Sequence, residues 1–244
     1  MRGCRAAAGC CTASGLRGPD VPLLPLVEQG WAIASVEYRL TPVAPFPANV
    51  HDLKAALRFL RAHAVEFGVD PGQFIIAGAS AGAHLAALVG VTNGHPTLEG
   101  DVGGDRGQSS DVQGIVSFFG ASNLETILSQ STPYGLGVRV PALQLLLGGK
   151  PDEKPELAHL ASPVAHVGAG DPPLLLLHGD QDPQMPINQS HELQGAYERV
   201  GRPAEFFVLH GGAHGGKGFY DAAMQNRVDA FLRKQLPLDE VKRR

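Results

Sequence analysis

The stretch that most limits the fold is "PPLLLLHGD" (Pro172–Asp180). Four consecutive leucines lie between a proline pair and a Gly-Asp turn. The run is too short for a helix and has no polar alternation. It therefore predicts a strand buried on both faces. Such strands belong to a parallel sheet with helices on both faces.

The rest of the chain fits that frame. "GWAIASVEYRL" (Gly30–Leu40) is apolar and β-branched enough for a buried strand. Pro42, Pro45 and Pro47 interrupt it. From Ala48 to Phe67, apolar residues recur at helical spacing. "GVDPG" (Gly68–Gly72) predicts a stop and turn. "QFIIAGA" predicts a second strand, and Ala81–Val91 a helix apolar nearly all round. Asn93–Gly114 reads as a long surface loop, and Val112–Ala121 holds a third strand. Asn123–Gly148 reads as short helical pieces broken by Pro133, Gly135, Gly137 and Pro141. After the leucine strand come a helix over Ile187–Val200, a strand starting at Ala204 and a closing helix over Asp221–Leu236. No composition break demands a second domain. The expected organisation is an atypical, irregular leader over residues 1–20 and a single α/β domain over 21–244.

Composition narrows the function classes. The net charge is −4, and no basic patch interleaves with aromatics. A nucleic-acid partner is not expected. No apolar run approaches a membrane-spanning length. All three cysteines (Cys4, Cys10, Cys11) fall in the leader, so no disulfide framework is expected in the body. The leader has arginines but no continuous apolar core. It reads poorly as a secretory signal, which points to a cytoplasmic chain.

Reactive groups in such sheets sit beyond the C-terminal ends of the strands. Ser80 follows Gln73–Ala77, within "GASAG". With 31 glycines in the chain the bare G-x-S-x-G match is cheap, but here it joins a predicted strand to a predicted helix. A sharp turn at that junction lifts the serine Oγ clear of the backbone. The helix N-terminus then offers the Ala81 N–H to an oxyanion. A serine needs a base. His214 lies in the Gly-rich "HGGAH", while His210 sits nearer the strand and reads as structural. A metal site at His210 and His214 is the weaker idea, because two glycines lie between them. The base needs an orienting carboxylate. Asp180 and Asp182 are the candidates, and Asp182, further out and before Pro183, is preferred. Asp180 then caps a turn.

The chain order Ser, Asp, His is that of α/β-hydrolases. "SVEYRLTPVAPFPANVHD", "VDPGQFIIAGASAGAHLAAL", "GDVGGDRGQSSDVQGIVSFFGASN", "DPPLLLLHGDQDPQMPINQS" and "HGGAHGG" together resemble the α/β-hydrolase superfamily. Within it, they resemble bacterial esterases of the hormone-sensitive-lipase-like and acetylxylan/feruloyl esterase type. The likeness runs from about Val21 to Leu236. It implies Ser80, Asp182 and His214 as nucleophile, acid and base, and Ala81 as one oxyanion-hole amide. It places Phe118 and Phe119 in the acyl pocket, although neighbours on a strand normally face opposite sides. Arg39 and Asp52 are either a structural ion pair or two solvated charges. No cofactor and no metal are implied, and the expected partner is a small-molecule ester.

The chain departs from the family at its start. Residues 1–18 have no histidine and no H-G-G-G-type loop to donate further oxyanion amides. The strand carrying that loop should lie between the strands at Gly30–Leu40 and Gln73–Ala77. Three outcomes are open: "CRAAAGCCTA" fills the gap poorly, the two strands pair directly, or another chain completes the sheet in a homo-oligomer. The first functional reading is a carboxylesterase for short acyl chains. The rivals are an amidase or peptidase of the same fold, and a triad-bearing chain that only binds.

Overall fold

The computed structural model describes the backbone of residues 4–11 and all of residues 23–236. Six strands form one parallel sheet: β1 (Cys4–Cys11), β2 (Trp31–Ala34), β3 (Val69–Ala79), β4 (Gly114–Phe118), β5 (Leu174–Gly179) and β6 (Ala204–Leu209). Their order is β2-β1-β3-β4-β5-β6. The helices are α1 (Ala48–Ala62), α2 (Ala64–Phe67), α3 (Ala81–Gly90), α4 (Pro96–Glu99), α5 (Ile127–Gln130), α6 (Pro133–Leu147), α7 (Pro155–Leu160), α8 (Asn188–Arg199) and α9 (Ala222–Gln235).

The solid apolar strands are buried on both faces. Leu174 and Leu176 pack into one cluster with Phe74, Ile76, Ile115 and residues of α1, α3 and α8. Leu175 and Leu177 point the other way, into a cluster with Ile75, Ala77, Val116 and residues of α9. All four leucines are essentially inaccessible, and each contributes about 2 kcal/mol of transfer free energy.

Several boundaries differ from the sequence expectation. The leader segment Cys4–Cys11 pairs with β2 on one side and β3 on the other, and so fills the gap between them. β2 is shorter than Gly30–Leu40. Its pairing ends at Ala8↔Ala34, and the chain then leaves the sheet for α1, where Arg39 meets Asp52. β3 absorbs the expected turn at Gly68–Gly72. Its register jumps from Cys4↔Val69 to Ala6↔Phe74, and Asp70 Oδ1 accepts the Gly72 N–H at 2.9 Å. The turn chemistry is present, but as an irregularity inside a strand.

The broken pieces expected over Asn123–Gly148 are corrected too. α6 is one helix that runs through Gly135, Gly137 and Pro141. Thr132 caps it by accepting the Gly135 N–H at 3.0 Å, and Leu143 and Leu147 are buried beneath it. Packing and capping outweigh the local propensity penalties. The expected loop Asn93–Gly114 contains α4, pinned to α1 by two buried cations. Lys54 Nζ lies 2.9 Å from Glu99 Oε2, and Arg58 Nη1 lies 2.7 Å from Glu99 Oε1. Glu99 is thus the counter-ion that burying Lys54 and Arg58 requires.

Candidate active site

β3 ends at Ala79, and α3 begins at Ala81. Ser80 alone makes the turn, at φ 54° and ψ −117°. A non-glycine residue held at positive φ costs on the order of 1 kcal/mol. The surroundings impose that conformation. Ser80 N–H donates to Phe118 O at 2.9 Å, and Ser80 O accepts from Ala83 N at 3.0 Å and His84 N at 3.1 Å.

Gly78 lets strand and helix come this close. A Cβ there would stand 2.2 Å from Gly82 O and 2.7 Å from Ala83 N, both backbone atoms. Gly78→Ala is expected to destabilise the fold by about 3 kcal/mol. The urea midpoint measures it, and an unchanged midpoint would contradict this packing.

β5 and β6 deliver the other two side chains. Gly179 permits their loops to touch, since a Cβ there would lie 2.1 Å from Gly212 O. Gln181 N–H donates to that same oxygen at 2.9 Å. His214 is thereby carried to Asp182. His214 Nδ1 donates to Asp182 Oδ2 at 2.7 Å, and Ser80 Oγ lies 2.8 Å from His214 Nε2. A carboxylate can only accept, so the neutral ring carries its proton on Nδ1. Nε2 is then free to accept the serine hydrogen.

The Asp182 side chain is inaccessible, and its second oxygen is also engaged. Oδ1 accepts from Gln184 N at 2.8 Å and Met185 N at 2.9 Å. Burial alone would push this carboxyl up. Contacts with His178 and His214, together with the Met185 N–H, outweigh it and hold the group well below the usual carboxylate range. Sequence reasoning missed His178. Its Nε2 lies 3.0 Å from Met185 O and 3.5 Å from Asp182 Oδ2, and its Nδ1 meets Ser190 Oγ at 2.7 Å. The signal was available: a polar residue directly follows the four leucines.

The two neighbouring candidates go elsewhere. Asp180 accepts from His210 Nδ1 at 2.9 Å and from Gly211 N at 2.7 Å, which caps the turn. His210 and His214 thus serve different carboxylates, and His210 stands largely in solvent. Arg39 and Asp52 form a bidentate pair, with Nε–Oδ2 at 2.8 Å and Nη2–Oδ1 at 2.7 Å. With the Arg39 side chain half exposed, the pair ties the segment after β2 to α1 but adds little stability, because solvent screens it.

Phe118 and Phe119 do not face opposite sides. Both are buried in the cluster beneath α9. Phe119 lies one residue past β4 with φ 43°, which swings its ring to the side of Phe118. Phe118 stacks near Tyr220 at 5.5 Å, and Phe119 packs against His214 at 4.8 Å. Ala81 opens α3, so its N–H has no acceptor inside the helix. β1 ends with Cys11 opposite Gly78. Residues 12–22 lie outside the described residues, and so does the expectation about further oxyanion donors. No group of three or more metal-ligating side chains occurs among the described residues. None of their helices is long and apolar enough to cross a membrane.

A model of the BD-FAE family matches residues 20–197, and one described as TAP-like protein matches residues 156–240. Esterase LipQ of Mycobacterium tuberculosis is 30% identical over 208 residues, covering 84% of this chain and 48% of LipQ. A probable carboxylic ester hydrolase of the same organism, LipM, is 32% identical over 184 residues, covering 75% and 41%. The chain spans about half the length of these curated relatives. Among solved structures, a truncated carbohydrate esterase from gut microbiota superposes with TM-score 0.85 at 29% identity, covering 96% of this chain and 87% of that one. Esterase 2 of Thermogutta terrifontis, phosphonylated by cyclosarin, gives 0.72 at 26% identity, covering 97% and 84%. The same esterase with propionate bound gives 0.73 at 25%, covering 97% and 85%.

Proposed function

The chain belongs to the BD-FAE family of the α/β-hydrolase superfamily, and from that footing we propose that it is a serine carboxylic-ester hydrolase for short acyl esters. The observation that carries the proposal is the unbroken chain Ser80 Oγ, His214, Asp182, at 2.8 and 2.7 Å.

The steps follow from that geometry. Ser80 Oγ attacks the ester carbonyl carbon, while His214 Nε2 takes the hydroxyl proton. The imidazolium that forms stays beside the ionised, buried Asp182, which stabilises it and keeps Nδ1 pointing inward. The carbonyl oxygen becomes an oxyanion near the Ala81 N–H, at the positive end of α3. His214 then gives its proton to the leaving alcohol, and the acyl group remains on Ser80. Water loses a proton to His214 as its oxygen bonds to the acyl carbon; the Ser80 Oγ–acyl bond then breaks, His214 returns the proton to Ser80 Oγ, and the carboxylic acid leaves.

The chain-length preference is supported by likeness, since a similar esterase was solved with propionate bound. Initial rates on p-nitrophenyl acetate, butyrate and octanoate, and on p-nitroacetanilide, test the proposal. Acetate and butyrate should give the highest kcat/KM, and the anilide should be slower by several orders of magnitude. A preference for octanoate would overturn the short-chain reading. An anilide rate equal to the ester rate would favour an amidase. No turnover and no labelling of Ser80 by a fluorophosphonate would favour a chain that only binds.

A further inference from the structure

Among the described residues, Ser80 and Phe119 are the non-glycine residues with positive φ, at 54° and 43°. They stand at the ends of adjacent strands, joined by the Ser80 N–H to Phe118 O hydrogen bond. Ser80 has its reason in the elbow. Phe119 is a bulky residue in a conformation that bulky residues avoid. Such outliers persist only where the surroundings over-determine them, and they gather at functional sites.

The surroundings at Phe119 are specific. Its N–H donates to Leu177 O at 2.7 Å. The next residue, Gly120, passes so close to α3 that a Cβ would stand 2.7 Å from the Ala83 side chain. Ser122 N and Asn123 N then both donate to Gln189 Oε1, at 2.9 and 2.8 Å. The turn is clamped on both sides, and the ring is driven toward the β6 loop. There it meets two rings at once: His214 at 4.8 Å and 63°, and Phe219 at 4.8 Å and 68°. Only 4% of Phe119 is exposed, which leaves the ring little surface to offer a substrate.

We propose that Phe119 is a positioning residue for the base, setting the plane of the His214 imidazole. Two hydrogen bonds hold that ring at Nδ1 and Nε2. The ring can still turn about its own Cβ–Cγ bond, and Phe119, backed by Phe219, packs against it and restricts that rotation. The aromatic ring also keeps water from one side of the imidazole. This assignment rests on the triad reading above.

The test compares kcat and KM for p-nitrophenyl acetate and butyrate in the full chain, Phe119→Leu and Phe119→Tyr. Leucine keeps apolar bulk but no ring, while tyrosine keeps the ring. Phe119→Leu is expected to lower kcat about tenfold to a hundredfold on both esters with KM within twofold. Phe119→Tyr should stay within about threefold of wild type. Should Phe119→Leu not fold, Phe119→Met is the second ringless variant. An unchanged kcat in a folded ringless variant would overturn the proposal, and so would a changed KM or acyl preference, the mark of a pocket wall. A Tyr variant as slow as the Leu variant would also overturn it. If Ser80→Ala keeps the wild-type rate, the triad reading falls and this inference falls with it. If Ser80→Ala is inactive and Phe119→Leu is unimpaired, this inference alone fails.

Discussion

Ser80→Ala is expected to lower kcat on p-nitrophenyl acetate by about 10⁵- to 10⁶-fold and to abolish labelling by a fluorophosphonate. In the proposed mechanism Ser80 Oγ is the nucleophile, and it lies 2.8 Å from His214 Nε2. Removing one oxygen leaves the base with nothing to activate but water, in a site not arranged to hold it. The fold should survive. Alanine is as small as serine, and the elbow hydrogen bonds through Ser80 N and O are backbone bonds. The thermal midpoint should therefore move by only a few degrees. Hydrolysis that persists in a pure preparation of this variant would remove Ser80 from the mechanism.

Asp182→Asn is expected to lower kcat by about 10⁴-fold. The asparagine amide cannot bear the charge that faces the imidazolium. It can also present its NH₂ to His214 and invert the tautomer, so that Nε2 no longer accepts from Ser80. Asp180→Asn is the contrast. Asp180 serves the exposed His210 and a turn N–H, so its kcat should stay within about threefold of wild type. Equal losses in both variants would mean that the base is oriented otherwise than by Asp182. The same carboxylate sets an acid limit on stability. Its folded value lies below the unfolded one of about 3.9, because the contacts with His178 and His214 favour the ionised form over the cost of burial. The sign follows: its contribution is present above about pH 4 and is lost as pH falls through the folded value. Urea midpoints should drop below pH 4 in wild type and drop less steeply in Asp182→Asn.

Much of the fold was legible because its signals are local. The four leucines of β5 are buried alternately in two clusters, as an unbroken apolar run demands. β6 and the limits of α8 and α9 follow from period and turn residues, with Asp221 capping α9 by accepting the Met224 N–H at 2.9 Å. The failures have non-local causes. Pro141 and two glycines argue against α6, but the helix is held by what it packs on and by its cap. The Asp-Pro-Gly segment after α2 predicts a turn, yet β3 runs through it, because β1 pairs on either side of it. The pairing of Lys54 with Glu99, 45 residues away, leaves no local signal in the sequence.

The sequence alone determined a parallel, doubly covered sheet with Ser80, the Asp180/Asp182 pair and the His210/His214 pair beyond strand ends. Those are consequences of side-chain period and of turns that need small residues, and both are written within a few positions. The tertiary structure decided the pairings: His214 to Asp182, His210 to Asp180, and Cys4–Cys11 into the gap between β2 and β3. It also decided that Phe118 and Phe119 share one side and that Phe119 meets His214. Each depends on register and on close approach between segments far apart in the chain, such as Gly179 against Gly212. A linear sequence names the residues able to react. Only the packing of one loop against another decides which of two nearly equivalent residues comes within hydrogen-bond distance.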